Sequence, residues 1–198
     1  GVRRPLRGTV SLAGRDVTRR SPRARLGAGL GHIAEDRHKR AVVLDFTLEE
    51  NSILGRHWKW DYSWPAWMRI GPARREIDRI IAECDVRPPD RSQPMRALSG
   101  GNQQKVVVGR ELARRPSILV AAHPTRGLDI GAIDFVQRSL LGERERGAGV
   151  LLISAELPEL MALSDRILVM AGGRIVGEVD PAQVDERKLG LMMTGSQT

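Results

Sequence analysis

The segment LSGGNQQK, residues 98–105, carries the clearest chemical signal in the chain. Ser99 is a residue type that caps a helix by accepting a hydrogen bond from a first-turn N–H. Gly100 and Gly101 put no side chain over the backbone that follows. The first N–H groups of a helix have no carbonyl partner inside it, and the aligned peptide dipoles add positive potential there. A serine and two glycines at a helix start therefore make a place where a phosphate can rest. Taken alone, the same residues also suit a plain helix cap. Further along, ILVAAHPTRGLD, residues 118–129, runs from an apolar strand into a polar turn. His123 has an unperturbed pKa near 6.5, the range of a general base, but a lone histidine is more often a packing or surface residue. Asp129 precedes GAIDFV and suits a helix cap. No residue is singled out as a metal ligand. Nothing reads GxxxxGK[ST], the loop whose backbone cradles phosphates and whose lysine reaches the β and γ positions.

These residues need elements to hold them. The opening GTVSLAGRDVT reads as a short strand ending in a turn at Gly14. In SPRARLGAGL, Ser21 caps, Pro22 takes the first helical position, and Gly27 and Gly29 end the element. GHIA leads into a charged loop, residues 35–40. TLEENS has Thr47 with Glu50 three residues on, the capping-box pattern. ARREIDRIIAECDV puts Ile77, Ile80, Ile81 and Cys84 on one helical face. SGGNQQKVVVGRELARRP is a further helix, ended by Pro116. SILVAA and GVLLISA read as buried strands, with the helix GAIDFVQRSLLGERERG between them. LPELMALS is a short helix, and DRILVMAGGRIVGEV a hairpin turning at Gly172-Gly173. Strands alternating with helices imply a largely parallel sheet covered by helices. The reading is an α/β core interrupted by a helical insertion: an N-terminal β part at 1–46, a helical segment at 47–116 and an α/β part at 117–198, together one domain.

This order of motifs resembles the nucleotide-binding domain of ABC transporters. LSGGNQQK looks like the signature motif, HPTRGLD like the end of the Walker B strand plus the D-loop, and EDRHKR, residues 35–40, sits where the Q-loop would be. EDR, LSGGNQQK and PTRGLD together are similar to the second ATP-binding half of importers for ribose-type sugars or nucleosides. The resemblance covers nearly the whole chain. It implies a RecA-like parallel-sheet core with an inserted helical subdomain, starting after the P-loop strand and first helix. It also implies ATP and Mg²⁺ in the intact transporter, with none expected for this chain alone. Its implied partners are a second nucleotide-binding domain, head to tail, and transmembrane permease subunits. Its implied location is cytoplasmic, at the inner face of the cell membrane.

The departures from the family pattern share a direction. An Asp and a Glu precede the proline in the resembling family, where this chain has Ala122 and His123. The switch histidine position falls near Ala155. Glu35 stands at the Q-loop position, where the resemblance implies a cofactor-binding residue: a glutamine there often coordinates Mg²⁺ and the attacking water, and a glutamate is common in this second-half subtype. The missing residues serve a nucleotide bound by their own domain; the signature serves the partner's. The expectation is a half whose own site is degenerate. It donates Ser99, Gly100, Gly101, Asn102 and Gln103 to ATP held by another domain, with Asp129 at the seam.

Composition sets outer bounds. At 198 residues, 41% hydrophobic and 28% charged, the chain can bury a core. A single cysteine, Cys84, makes no internal disulfide and fits a reducing cytosol. The first residues do not read as a secretory signal. Net charge is +8, from 32 basic and 24 acidic residues. That balance permits nucleic acid or an anionic membrane surface as well as a solvated surface. The short insertion without a long heptad arm, and TRGLD, speak against a nucleic-acid-linked ATPase, so no nucleic acid is expected. An active ATPase half, once an upstream P-loop is restored, is the other alternative. All four tryptophans and the one tyrosine lie within residues 58–67. Trp58, Trp60 and Trp64 share the parity of one face of an extended segment. The cluster suits either local packing or contact with a membrane partner.

Overall fold

The computed structural model describes residues 2–64 and 67–194. The chain forms two compact units, residues 1–151 and residues 152–198. The boundaries read from sequence after residues 46 and 116 both fall inside the first unit.

That unit opens with a hairpin, β1 (Ser11–Leu12) against β2 (Arg15–Asp16), turning through Ala13 and Gly14 at positive φ. Helix α1 (Pro22–Gly27) starts at Ser21, whose hydroxyl accepts from the Ala24 N–H. Strand β3 (Leu30–Ile33) follows, within the segment read only as leading into a loop. The charged loop itself contains the helical turn α2 (Arg37–Arg40), capped by Asp36. Helix α3 (Leu48–Ser52) begins in a complete capping box, Thr47 and Glu50 each bonding the other's N–H. A small hairpin, β4 (Ser63–Trp64) and β5 (Trp67–Met68), precedes α4 (Ile70–Glu83). A 3-10 turn (Met95–Ala97) then leads into α5 (Gly100–Leu112). Strand β6 (Ile118–Ala122), α6 (Ile130–Glu145) and β7 (Gly149–Ile153) complete the alternation.

β3 and β6 run parallel, with Leu30 opposite Ile118 and Ile33 opposite Ala121, and β7 is the third strand of that sheet. The fold is thus α/β around a parallel sheet. Strand β7 departs from the expected buried strand: Leu151 and Ile153 are exposed.

The main core lies among the helices. Ile77, Ile80 and Ile81 of α4, with Cys84 after it, face Leu48, Met95, Leu98, Val106 and Val107. The spacing of these isoleucines is that of one helical face. Helix α5 is buried almost all round from Val106 to Glu111. Three consecutive valines would weaken an isolated helix; here, burial outweighs propensity. Gly109 lets α4 approach: a Cβ there would sit 2.7 Å from Ile80 Cγ2 and 2.8 Å from Cys84 Sγ.

In the second unit, α7 (Leu157–Leu163) precedes the antiparallel pair β8 (Ile167–Ala171) and β9 (Arg174–Val179), which turns through Gly172 and Gly173 at positive φ. A 3-10 turn (Pro181–Gln183) and α8 (Glu186–Met193) follow. Ile167, Val169, Val184 and Leu189 form its core.

Candidate functional site

Ser99 caps α5 as its sequence demands: its hydroxyl accepts from the Asn102 N–H at 3.4 Å and from the Asn102 side-chain amide at 3.1 Å. Asn102 also accepts from the Arg87 N–H at 2.8 Å, so this first turn is fastened to the loop after α4. The N–H groups of Gly100 and Gly101 belong to the first turn, which has no carbonyl four residues back within the helix.

The two glycines are places of close approach. A Cβ on Gly101 would lie 2.7 Å from Asp129 Oδ2 and 3.0 Å from Ala132 Cβ; one on Gly100 would lie 2.6 Å from Arg37 Nη2. Asp129 is meanwhile the cap of α6, accepting from the Ala132 N–H at 2.9 Å. Two helix N-termini, α5 and α6, therefore meet at Gly101 with one carboxylate between them.

The turn HPTRGLD is tied to this point. Gln104, buried, donates to the Pro124 carbonyl at 2.7 Å. Because β3 and β6 are parallel neighbours in register, both end beside each other, and the residues that follow them come together. Glu35 pairs with Arg126 at 2.9 Å, both exposed. Such a pair adds little stability; its consequence is to link the segment after β3 to the turn after β6. Ligands of open α/β sheets gather at the carboxyl ends of strands in this way.

Sequence reasoning placed Gln103 with the phosphate-facing residues, and the structure turns it inward. Its amide donates to the carbonyls of Met95 and Leu98, at 3.2 and 3.1 Å, and its oxygen lies 2.8 Å from His38 Nε2. With its amide on two carbonyls and its oxygen on His38, this side chain holds the turn before α5 in place. His123 has φ of 43°, the left-handed region that a non-glycine residue rarely adopts. Its carbonyl accepts from the Arg126 N–H at 3.2 Å, closing the turn. Among the described residues its ring makes no hydrogen bond or ion pair, so no third group orients it as a positioned base would require.

Arg37 is the residue that sequence reasoning did not single out. Its guanidinium lies against Gly100, and its Nε is buried without a hydrogen-bond partner. The run of charges at residues 35–40 was visible, but only the chain path shows which of them reaches α5.

The donor set tells one side of this region from the other. The start of α5, with Gly100, Gly101 and the Arg37 guanidinium, fits a phosphate. The Ala122 side chain has no atom with which to hold Mg²⁺ or its water. Among the described residues no group of three or more His, Cys, Asp or Glu is placed to hold a metal ion, and no helix is long and apolar enough to cross a membrane.

Comparison with known proteins adds the following. The family model described as ABC transporter matches residues 1–126. The guanosine import ATP-binding protein NupO of Bacillus subtilis is 47% identical over 196 residues, covering 99% of this chain and 38% of that protein. The nucleoside import ATP-binding protein NupA of Lactococcus lactis is 37% identical over 188 residues, 95% of this chain and 37% of that protein. The ribose import ATP-binding protein RbsA of Burkholderia pseudomallei is 39% identical over 204 residues, 100% of this chain and 38% of that protein. The chain thus spans well under half the length of these relatives. Among solved structures, the dimeric ATP-binding cassette MJ0796 in a post-hydrolysis state with ADP and Pi superposes with a TM-score of 0.74 at 19% identity, over 91% of this chain and 76% of that one. The ADP conformation of the cassette MJ1267 superposes at 0.72, with 19% identity, over 98% and 76%.

Proposed function

The chain belongs to the ABC transporter family, and from that premise we propose that it is part of the ATP-binding component of an importer for nucleosides or simple sugars. Within that component it is the second of two ATP-binding halves, and it acts by presenting the start of α5 to a nucleotide held by the other half. The observation that carries this reading is an asymmetry. The phosphate-fitting face built from Ser99, Gly100, Gly101, Asn102 and Arg37 is intact, while Ala122 and Ala155 stand where the same half would need side chains for its own nucleotide.

On this reading, ATP supplies the phosphate, and Mg²⁺ is held by residues of the other half. The residues of this chain bind and orient. The N–H groups of Gly100 and Gly101 face the partner's γ-phosphate, Ser99 keeps them pointed outward, and Arg37 adds positive charge beside them. Phosphoryl transfer depends mainly on positioning and electrostatic stabilisation, so a donated helix start contributes fully without any proton transfer by this chain. Asp129 holds the seam between α5 and α6 at the dimer face. The other half and the transmembrane permease subunits are the partners, and the protein works at the cytoplasmic face of the membrane. The identity to guanosine, nucleoside and ribose import proteins supports the solute class.

The test is ATPase turnover of the transporter assembled with the full-length protein, in three variants. Ser99→Glu places negative charge on the exposed face without entering the α5–α6 seam, and Gly101→Asp places it beside Asp129. Both are expected to lower turnover by about 10²-fold or more, the effect typical of a lost oxyanion-type donor. His123→Ala is expected to stay within about twofold, whereas losing a positioned base would cost about 10²- to 10⁴-fold. A collapse in His123→Ala with Ser99→Glu active would instead make this half the hydrolytic one.

A further inference from the structure

The aromatic segment does not form the extended face that its parity predicts. Trp58 is half-buried, with the Arg23 guanidinium 4.7 Å over its ring. Tyr62 is buried, donating to the Glu76 carboxylate while Arg56 lies 5.2 Å over its ring. Tyr62 belongs to the local core with Ile53 and Ala73. The remaining tryptophans do not: Trp60 is 70% exposed, Trp64 63% and Trp67 78%, with Met68 and Ile70 exposed beside them. Trp64 and Trp67 stand opposite each other on the β4–β5 hairpin, and Trp60 meets Trp64 edge to face at 6.2 Å.

Next to this apolar group is a groove of opposite character. Asp61, Tyr62, Arg69, Pro72, Arg75, Glu76 and Arg79 line it. Glu76 is committed to Arg56 in a buried ion pair. Among the described residues, Arg69, Arg75 and Arg79 make no ion pair, and Asp61 is the only other acid in the lining. The groove is therefore left cationic, and its lining is too polar to seat an apolar helix.

We propose that the β4–β5 hairpin and the start of α4 rest directly on an anionic lipid surface. Trp60, Trp64 and Trp67 sit at the headgroup level, and the Arg69–Arg75–Arg79 groove takes a lipid phosphate. Tryptophans that are flat, amphipathic and exposed, flanked by unpaired arginines, form the combination that partitions to an anionic membrane interface. Charge complementarity favours this occupant over an apolar protein surface. The inference adds a direct lipid contact to the peripheral location proposed above and does not depend on the signature motif.

All four tryptophans lie within residues 58–67, so tryptophan fluorescence reports on this segment alone. The experiment mixes the chain with vesicles of brominated phosphatidylcholine containing phosphatidylglycerol, without permease, and follows quenching and co-flotation. Quenching with a blue shift is expected, and it should fall with added salt. Arg69→Gln/Arg75→Gln should weaken binding about fivefold per arginine removed. Trp60→Ser/Trp64→Ser/Trp67→Ser should abolish flotation with an unchanged melting temperature. Arg19→Gln/Arg20→Gln, equal in charge but outside the lining of the groove, should bind as the parent does. Flotation unaffected by the tryptophan changes, or weakened equally by the Arg19/Arg20 pair, would reduce the effect to overall basicity and overturn the proposal. So would equal quenching by vesicles lacking phosphatidylglycerol. Quenching seen only with single-stranded DNA would assign the patch to nucleic acid. No quenching by lipid, but burial of the tryptophans on assembly with permease, would assign it to protein. None of these outcomes touches the turnover test of Ser99 and Gly101.

Discussion

Gly101 and Gly100 sit side by side in the same motif, yet they differ in what surrounds them. A methyl on Gly101 would press on Asp129 Oδ2 and Ala132 Cβ, both held in the first turn of α6. A methyl on Gly100 would meet the far end of Arg37, which can swing away. Gly101→Ala is therefore expected to destabilise by about 1–3 kcal/mol, the usual cost of overpacking, and Gly100→Ala by clearly less. Urea unfolding midpoints of the two variants check this, and a larger loss for Gly100→Ala would contradict the α5–α6 seam described above. Cys84 gives a second prediction at this scale. Burial pushes its thiol up to about 11, so the reactive thiolate is scarce at neutral pH. Labelling by a thiol-specific disulfide reagent at pH 8 should proceed only as fast as the fold opens and become rapid in denaturant.

Caps were legible from residue types because a cap is a local device. Ser21, Thr47, Ser99 and Asp129 all do in the structure what their positions imply. Gln103 and Arg37 were not legible in the same way. Both lie in segments marked for chemistry, but which one lies beside Gly100 is decided by chain path. His38, 65 residues away in sequence, helps turn Gln103 inward.

Between elements, the close packing of α4 on α5 depends on Gly109. Alanine there improves helix propensity by about 1 kcal/mol, but its methyl would overlap Ile80 and Cys84 in a fully buried seam. Overpacking at about 1–3 kcal/mol should win, so Gly109→Ala is expected to lower stability. Adding Cys84→Ala, which removes one of the two clashing atoms, should restore part of the loss, and a double-mutant cycle in urea measures that coupling. The isoleucine stripe of α4 was plain in the sequence because a helical period of several turns is a strong pattern. Strand β3 was not, since four residues give almost no periodicity and its partner β6 lies 85 or more residues further along. Asn51 was missed as well. Fully buried, it accepts from the Val43 N–H and donates to the carbonyls of Val43, Phe46 and Thr47. No periodicity announces such a buried polar anchor. Asn51→Leu should cost about 1–3 kcal/mol, because the Val43 N–H loses its acceptor and the three carbonyls, each still held by a backbone N–H, lose a second donor.

At the scale of the molecule, the proposed division of labour makes a claim about nucleotide binding by this chain. A domain that holds ATP through its own residues is stabilised by it, by about 2.7 kcal/mol at a hundredfold excess over Kd. The sequence contains no GxxxxGK[ST] and places alanine at residues 122 and 155. Its phosphate-fitting face offers N–H groups and one guanidinium, enough to complete a site but with nothing to grip the base, the ribose or Mg²⁺. Millimolar ATP with Mg²⁺ should therefore leave the melting temperature of the 198-residue chain unchanged. A second ATP-binding half with an intact P-loop, added with ATP, should raise it, and Ser99→Glu should remove that rise, measured from the variant's own melting temperature without ATP, which loss of the cap lowers. Stabilisation of the chain by ATP alone, retained in Ser99→Glu, would mean that its own residues form a complete nucleotide site and that the asymmetry between its two faces has been misread.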